Sequence, residues 1–150
     1  MVTVESLIRE TANKFNESNL TFGHGTDNAI DEAAYLIFGY LDLNHDEAEE
    51  VYQKAISNED LLEIDKLIDC RINQNRPVAY LIKKALFAGL EFFIDERVLV
   101  PRSPLAELIT NKLRPWADDK LLTRAIDMGT GSGCIAIALG KFFPDIEIDA

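Results

Sequence analysis

Apolar residues in the first half of the chain recur every three to four positions, which is the spacing of amphipathic helices. The pattern predicts four helices, over residues 3–16, 27–39, 44–55 and 58–72, with Thr3, Asp27, Asn44 and Asn58 as their N-caps. Pro77 then interrupts the pattern, because the residue before a proline avoids the helical region, and it can open one short helical turn. Residues 1–75 are therefore predicted to form a small all-helical bundle.

The pattern changes after residue 76. Two apolar runs, residues 85–93 and 98–100, flank an acidic turn at Asp95–Glu96 and predict a β-hairpin. Ser103 followed by Pro104 is typical of a helix start, and this helix is expected to reach about residue 114. The remaining residues predict a strand at 125–128, an apolar helix at 134–143 that Pro144 stops, and an alternating strand at 146–149.

These elements predict an α/β chain in three parts. A helical domain over residues 1–75 comes first, then a linker with the β-hairpin over 76–102. Residues 103–150 contain a strand, a glycine turn, a helix and a second strand. Two strands leave much of a sheet uncovered. Five apolar side chains are therefore expected to lack partners: Ile126, Ile135, Ile137, Leu139 and Phe142.

Length and composition restrict the class of protein. The chain has 150 residues and is 47% apolar, as in soluble globular domains. It shows neither a secretory signal nor an apolar run long enough to span a bilayer. Cys70 and Cys134 are too far apart in sequence to suggest a metal site or a disulfide framework. We expect a cytoplasmic protein without a membrane partner or a metal.

The negative charge is concentrated in the first half. The net charge is −11, and residues 1–75 hold 16 acidic and 5 basic side chains, whereas residues 76–150 hold 10 of each. An acidic surface repels phosphate backbones, so no direct binding to nucleic acid is expected. Such a surface can steer a basic protein towards itself, although a merely solvated helical surface is the simpler interpretation.

The segment with the clearest chemistry is the glycine turn. Gly129, Gly131 and Gly133 permit positive φ and a close approach of a ligand to the backbone. The helix that follows offers free N–H groups to an anion. A turn that serves packing alone is disfavoured by three glycines within five residues, and Cys134 is interpreted as a small packing residue. His24, between two other glycines, is expected to face solvent.

The spacing of these glycines bears on the ligand. Dinucleotide folds require Gly-x-Gly-x-x-Gly, whereas the third glycine here comes one residue early. Asp127 stands two residues before the first glycine, where a carboxylate would repel a pyrophosphate but suits an ammonium group. The pattern therefore favours S-adenosylmethionine over NAD. A phosphate P-loop is excluded because no Gly-Lys-Ser/Thr follows.

At the level of motifs the chain resembles a known family. DMGTGSGCIAIAL resembles the first motif of class I S-adenosylmethionine-dependent methyltransferases. With RPVAYLI and FAGLEFFIDERVLVPRSPLAELI before it, the chain is similar to the HemK-like protein-glutamine methyltransferases. The resemblance implies a helical N-terminal domain for substrate recognition, a β-hairpin linker and the start of a Rossmann-like catalytic domain. It also implies methylation of a glutamine side-chain amide in a release factor or a ribosomal protein.

One stretch distinguishes the two branches of this family. The release-factor branch carries Pro-Arg-Pro-Glu-Thr-Glu after the hairpin, whereas this chain has Pro101–Arg102–Ser103–Pro104. That variant resembles the branch acting on the third protein of the large ribosomal subunit. A basic ribosomal protein is then the expected substrate, held in part by the acidic helical domain.

The resemblance also implies which residues bind the cofactor. S-adenosylmethionine would be bound by Asp127, Gly129, Thr130, Gly131, Ser132 and Gly133. Pro101 and Arg102 are candidate cleft residues, with an ion pair as the alternative role of Arg102.

No catalytic residue is assigned within these 150 residues. The family's Asn-Pro-Pro-Tyr motif, which holds the substrate amide, does not occur among them and is expected to lie beyond Ala150. Asp149 falls just short of the position of the family's ribose-binding acid. The chain is therefore expected to be an incomplete product that is inactive alone.

Other functions stay open at this point. Within the family, the alternative is the release-factor glutamine methyltransferase. In a different class, the chain would be a non-catalytic acidic helical binding module or an inactive remnant. NAD-dependent oxidoreduction is a more distant alternative, because the glycine spacing opposes it.

Overall fold

The computed structural model describes residues 1–23, 25–44, 48–118 and 121–150, without the side chains of Ala48 and Glu49. The interpretation of His24 lies outside these residues. The chain divides into two compact units, residues 1–83 and 84–150. The described residues contain helices and two small sheets, which confirms the predicted α/β class. No helix among them is long and apolar enough to cross a membrane.

Helices account for the first unit. The described elements are α1 (Val4–Glu17), α2 (Ala29–Leu41), α3 (Ala48–Tyr52), α4 (Asn58–Gln74) and α5 (Val78–Ile82). Helix α1 packs along α2, and α2 also contacts α4 and α5. Large apolar side chains from three helices are fully buried in the core, among them Phe15, Leu36, Ile37, Phe38, Ile64 and Ile68. Burial of this apolar surface is the main stabilising contribution to the unit.

Two of the helix caps differ from the prediction, and the cap predicted at Asn44 stays a prediction because residues 45–47 lie outside the described residues. Thr3 is confirmed as the cap of α1. Helix α2 is capped by Asn28 instead of Asp27, because the Asn28 Oδ1 atom accepts from the Asp31 N–H at 2.9 Å. Helix α4 is capped by Ser57 instead of Asn58, since the Ser57 Oγ atom accepts from the Asp60 N–H at 3.0 Å. Both corrections are shifts of a single residue.

Two helix ends also differ from the prediction. The third helix stops at Tyr52, short of Ala55, because Ala55 forms a β-bridge with Thr3 at the start of α1. Helix α2 continues through Gly39 to Leu41. A Cβ atom at Gly39 would overlap the side chain of Ile82, so this glycine serves the close packing of α5 on α2.

A buried ion pair joins α2 to α4. The side chains of Arg71 and Glu32 are only 1% and 2% exposed, and their closest N–O distance is 3.1 Å. The guanidinium also donates to the Thr21 carbonyl at 3.0 Å and to Asn75 Oδ1 at 2.9 Å. The guanidinium therefore donates hydrogen bonds to three different residues, and a buried cation requires such partners.

We predict that Arg71→Met lowers the free energy of unfolding by about 3–5 kcal/mol, because it leaves the Glu32 carboxylate buried without its cation. Removing both charges, in Arg71→Met with Glu32→Leu, should cost less than the single change. Arg9→Met, which breaks the exposed pair with Glu5, should cost about 1 kcal/mol or less. Urea unfolding followed by circular dichroism measures all three. A loss for Arg71→Met no greater than for Arg9→Met would contradict the interpretation.

The second unit begins with a hairpin whose position corrects the prediction. Strands β1 (Lys84–Phe87) and β2 (Leu90–Phe93) pair antiparallel, with Phe87 opposite Leu90. The turn is therefore Ala88–Gly89, with φ of 51° and 73°, and not the acidic turn at residues 95–96. Two consecutive positive φ angles are the requirement of the tight hairpin turn that matches strand twist.

The acidic segment forms a separate local turn. Asp95 accepts through its carboxylate from the Arg97 N–H at 3.1 Å and through its carbonyl from the Val98 N–H at 3.2 Å. Arg97 also pairs with the Asp95 carboxylate at 2.7 Å, and this pairing raises the pKa of Arg97. Residues 98–100, predicted as the second strand, are therefore outside the hairpin.

A helix and then a strand–helix–strand segment follow. The helix is α6 (Leu105–Thr110), and the segment consists of β3 (Arg124–Ile126), α7 (Cys134–Phe142) and β4 (Glu147–Asp149). The two strands pair parallel, and α7 packs against α6 and β4. The predicted cap of α6 is wrong by one residue, since Pro104 takes that position, although Ser103 Oγ accepts from the Leu105 N–H at 3.2 Å.

Helix α6 also ends earlier than residue 114. Lys112 and Leu113 have φ of 57° and 58°, which no α-helix can contain. The Lys112 ammonium donates to the Phe142 carbonyl at the end of α7 and lies 4.9 Å from the ring centre of Phe143. Lysine at a helix C-terminus is electrostatically favourable.

The apolar side chains that were expected to lack partners differ among themselves. Ile126 and Ile137 are 66% and 54% exposed, as expected. The others, Ile135, Leu139 and Phe142, are half-buried, and the Lys112 ammonium lies 6.0 Å from the Phe142 ring centre.

Candidate functional site

The candidate site lies between β3 and α7, where the parallel strand pair ends. The Asp127 N–H donates to the Asp149 carbonyl at 2.8 Å, which extends the pairing of β3 and β4 by one step. The Arg124 guanidinium joins the same strands, since it pairs with the Asp149 carboxylate at 2.9 Å. Asp127 is thereby held at the carboxyl edge of the strands, where ligands bind in open α/β sheets.

Left-handed backbone conformations define the turn after Asp127. The φ angles are 78° at Gly129, 57° at Gly131 and 77° at Gly133. The Gly133 N–H donates to the Thr130 carbonyl at 2.9 Å and closes the turn just before the first residue of α7. A Cβ atom at Gly129 would meet nothing within 4 Å, so its requirement is conformational and not steric.

The start of α7 is open to a ligand. Gly133 is the N-cap, and it provides no side-chain acceptor for the first N–H groups of the helix. The N-terminus of a helix carries a partial positive charge and unsatisfied donors, which bind carboxylate or phosphate oxygens. Helix α7 has nine residues, so this charge is developed over more than two turns.

Two buried oxygens of the turn have no hydrogen-bond partner. They are Oδ2 of Asp127 and Oγ1 of Thr130. A buried polar atom without a partner costs free energy, and such atoms are rare in folded proteins. A ligand with an N–H or ammonium donor would satisfy the Asp127 oxygen, whereas a pyrophosphate would be repelled by it. An acceptor at Asp127 therefore fits the ammonium group at the amino-acid end of S-adenosylmethionine.

The other predicted site residues lie within this turn or in the segment before α6. Ser132 is half-buried within it. Pro101 is half-buried and Arg102 is exposed, both in the segment before α6. Their assignment to a cleft stays a prediction. Cys134 is 7% exposed at the start of α7, in agreement with its interpretation as a packing residue.

The end of β4 bears on the missing catalytic assignment. Asp149 is engaged by Arg124, and Ala150 is exposed directly after the strand. The methyl side chain of Ala150 offers no polar group to a substrate amide. The described residues test neither the placement of the substrate motif beyond Ala150 nor the inactivity of the chain alone, and both stay predictions.

Sequence reasoning missed the pairing of Arg124 with Asp149. The signal was a basic residue at the start of one predicted strand and an acid at the end of the next, but the strand register was needed to bring them together. Across the described part of the chain, no cluster of His, Cys, Asp or Glu has the arrangement of a metal site.

Comparison with known proteins shows what the chain is similar to. No protein-family model matches the chain. Over 98% of its length it is 45% identical to a protein of Xanthomonas campestris pv. campestris named ribosomal protein uL3 glutamine methyltransferase, of which it covers 48%. Proteins of the same name from Neisseria meningitidis serogroup B and Neisseria gonorrhoeae are 41% identical over the whole chain, which covers 50% of each. The chain spans about half the length of the curated relatives it matches.

With its glycine turn after a parallel strand, the chain is a relative of the protein-glutamine methyltransferases, the family that its motifs indicate. The three relatives are all named for ribosomal protein uL3. The resemblance to that branch, which residues 101–104 predicted, is thereby confirmed.

We predict opposite effects for alanine at two glycines of this segment. A Cβ atom at either Gly133 or Gly140 would lie 3.5 Å from an isoleucine methyl group, which is an ordinary contact. Gly133 has φ of 77°, so Gly133→Ala should destabilise the chain by about 1–2 kcal/mol. Gly140 lies inside α7, where alanine should stabilise by about 0.5–1 kcal/mol. Thermal unfolding measures both, and a shift of the same sign for the two variants would contradict the assigned turn.

Proposed function

We propose that the chain is part of an S-adenosylmethionine-dependent methyltransferase whose substrate is a glutamine side-chain amide of ribosomal protein uL3. The observation that carries the cofactor assignment is the buried, unpartnered Asp127 oxygen beside a glycine turn. The names of the relatives supply the substrate, since each is named for glutamine methylation of uL3. The alternative release-factor methyltransferase has no support among these three relatives.

The residues of the turn would divide the binding of the cofactor among them. Asp127 would accept from the ammonium group, and the N–H groups at the start of α7 would face its carboxylate. Thr130 Oγ1 provides a second polar atom, and the glycines keep the backbone free of side chains where the nucleoside approaches. When bound, the cofactor supplies an electrophilic methyl group on a sulfonium.

The fold assigned to this activity is a Rossmann-like class I domain of which residues 103–150 are one part. The parallel pairing of β3 and β4 around α7 supports this assignment. The hairpin would be the linker over residues 76–102, and the helical bundle over 1–75 would recognise the substrate. Pro101 and Arg102 would then lie at the junction of linker and catalytic domain, as candidate cleft residues.

Charge supports a basic protein as the substrate. The first 75 residues hold 16 acidic and 5 basic side chains. A surface of this sign accelerates encounters with a basic protein and repels nucleic acid. We therefore place recognition of the ribosomal protein on the helical unit and assign no direct contact with nucleic acid.

We predict that Asp127→Asn raises the Kd for S-adenosylmethionine about tenfold, because a charge-assisted hydrogen bond is lost. Asp145→Asn makes the same chemical change at an exposed residue before β4 and should leave this Kd unchanged within about twofold. Calorimetric titration of the 150-residue chain measures both, with circular dichroism as the control for folding.

Three results would contradict the cofactor assignment or the role of Asp127. Binding of NAD in place of S-adenosylmethionine by the wild-type chain would contradict the cofactor assignment. Absence of any cofactor binding would favour the binding module or inactive remnant. Equal loss of affinity in Asp127→Asn and Asp145→Asn would show that Asp127 has no specific role.

A further inference from the structure

A groove on the helical unit has an apolar floor that lies at the edge of the core. Its volume is about 600 Å³. Its floor, which we call the α1–α2 floor, consists of Ile8, Ile30, Ala34 and Tyr52. Ile30 is 45% exposed there, although an isoleucine on a packed helix is usually buried. Tyr52 is held by an edge-on contact with the buried Phe38 ring, at 5.6 Å between ring centres.

The rim of this groove carries two carboxylates in different electrostatic states. Both oxygens of Glu5 are occupied, one by Arg9 at 2.9 Å and the other by Gln53 at 3.1 Å. The charge of Glu5 is therefore balanced by Arg9. Asp31 Oδ2 accepts from the amide of Asn28 at 2.8 Å. Asn28 is uncharged and therefore does not neutralise Asp31, which forms no ion pair among the described residues.

We propose that this groove docks a basic segment of the ribosomal-protein substrate, with one apolar side chain on the α1–α2 floor and a lysine or arginine beside Asp31. The proposal rests on the proposed function for the identity of the partner. Two observations select a basic protein segment as the occupant: the rim acid without an ion pair among the described residues and the net charge of −11, which arises wholly within residues 1–75. Interfaces commonly combine an apolar centre with complementary charges at the rim.

The size of the groove agrees with such an occupant. A volume of about 600 Å³ holds several side chains, which is within the range of sites that enclose small ligands or short peptide segments. A nucleic-acid backbone would be repelled by Asp31 and by the acidic surface around it. Apolar anchors in such pockets contribute a large share of binding energy in protein interfaces.

The test measures binding of the chain to purified uL3 by fluorescence anisotropy, at low and at moderate salt. We expect Ile30→Asn to raise the Kd about tenfold, because it places an amide on the apolar floor. Leu62→Asn is the matched control, since Leu62 is 65% exposed on α4 and does not line the groove. Its Kd should stay within about twofold of the wild-type value. Equal Kd values for the two variants would overturn the proposal.

The charge contribution has its own matched pair. Asp31→Asn keeps the backbone bond to Asn28 and should raise the Kd about threefold at low salt, with a smaller dependence on salt. Asp69→Asn removes one exposed acid of α4 outside the groove and should have less than half of that effect. An equal effect of the two changes would show that only the total charge matters, and would overturn the placement beside Asp31.

Failure of this proposal is distinguishable from failure of the proposed function. All four variants should retain the wild-type affinity for S-adenosylmethionine, since none is in the glycine turn. If the wild-type chain binds the cofactor but not uL3, the groove proposal is overturned and the cofactor assignment stands. If it binds uL3 through Ile30 but binds no cofactor, the cofactor assignment is overturned and the groove proposal stands. Light scattering that shows a dimer abolished by Ile30→Asn, without uL3 binding, would overturn the proposal and assign the groove to a second copy of the chain.

Discussion

The left-handed backbone between β3 and α7 is the constraint on which the candidate site depends. Gly129, Gly131 and Gly133 all have φ between 57° and 78°, a region that costs other residues about 1–2 kcal/mol each. Because these three residues are glycines, the chain can pass from the end of β3 into α7 within seven residues. The end of the strand and the start of the helix can then contribute polar groups to the same ligand.

Stability and binding are opposed at this turn. The oxygens of Asp127 and Thr130 are buried without hydrogen-bond partners, an arrangement that weakens the isolated chain. A ligand that supplies donors recovers this free energy on binding. Unsatisfied polar groups of this kind are common where a site is arranged before its ligand arrives. Without a ligand, the backbone of Asp127 is held by its hydrogen bond to the Asp149 carbonyl in the parallel sheet.

The helical unit uses buried charge differently. Arg71 and Glu32 satisfy each other inside the core, with further bonds to Thr21 and Asn75, so that pair is closed to any partner. Asp31, one residue before Glu32, is exposed and forms no ion pair within the described part of the chain. Adjacent acids on α2 therefore have opposite roles, one holding helices together and one available at the surface. Because we propose cofactor binding in one unit and partner binding in the other, substitutions can separate the two.

Much of the local structure was predictable from the sequence. The apolar spacing predicted α1, α2, α4 and α7, and the sequence pattern also predicted the order of strand, glycine turn, helix and second strand. The caps at Asn28 and Ser57 were missed by one residue, because neighbouring Asp27 and Asn58 have equally suitable side chains. The hairpin turn was misplaced, because acidic residues are common in turns whereas Ala88 at positive φ carries no such signal.

By itself, the sequence determined the helical periodicity, the glycine spacing that favours one cofactor over another, and the family to which the chain is related. Only the tertiary structure decided that Arg71 and Glu32 are paired in the core, although each stands on an apolar face where its position was a signal. It alone also decided that Asp127 keeps an unpartnered oxygen and that Ile30 lies in an open groove. The physical reason is that propensity and capping act between neighbours in sequence, whereas burial and pairing depend on groups that the fold brings together from distant positions.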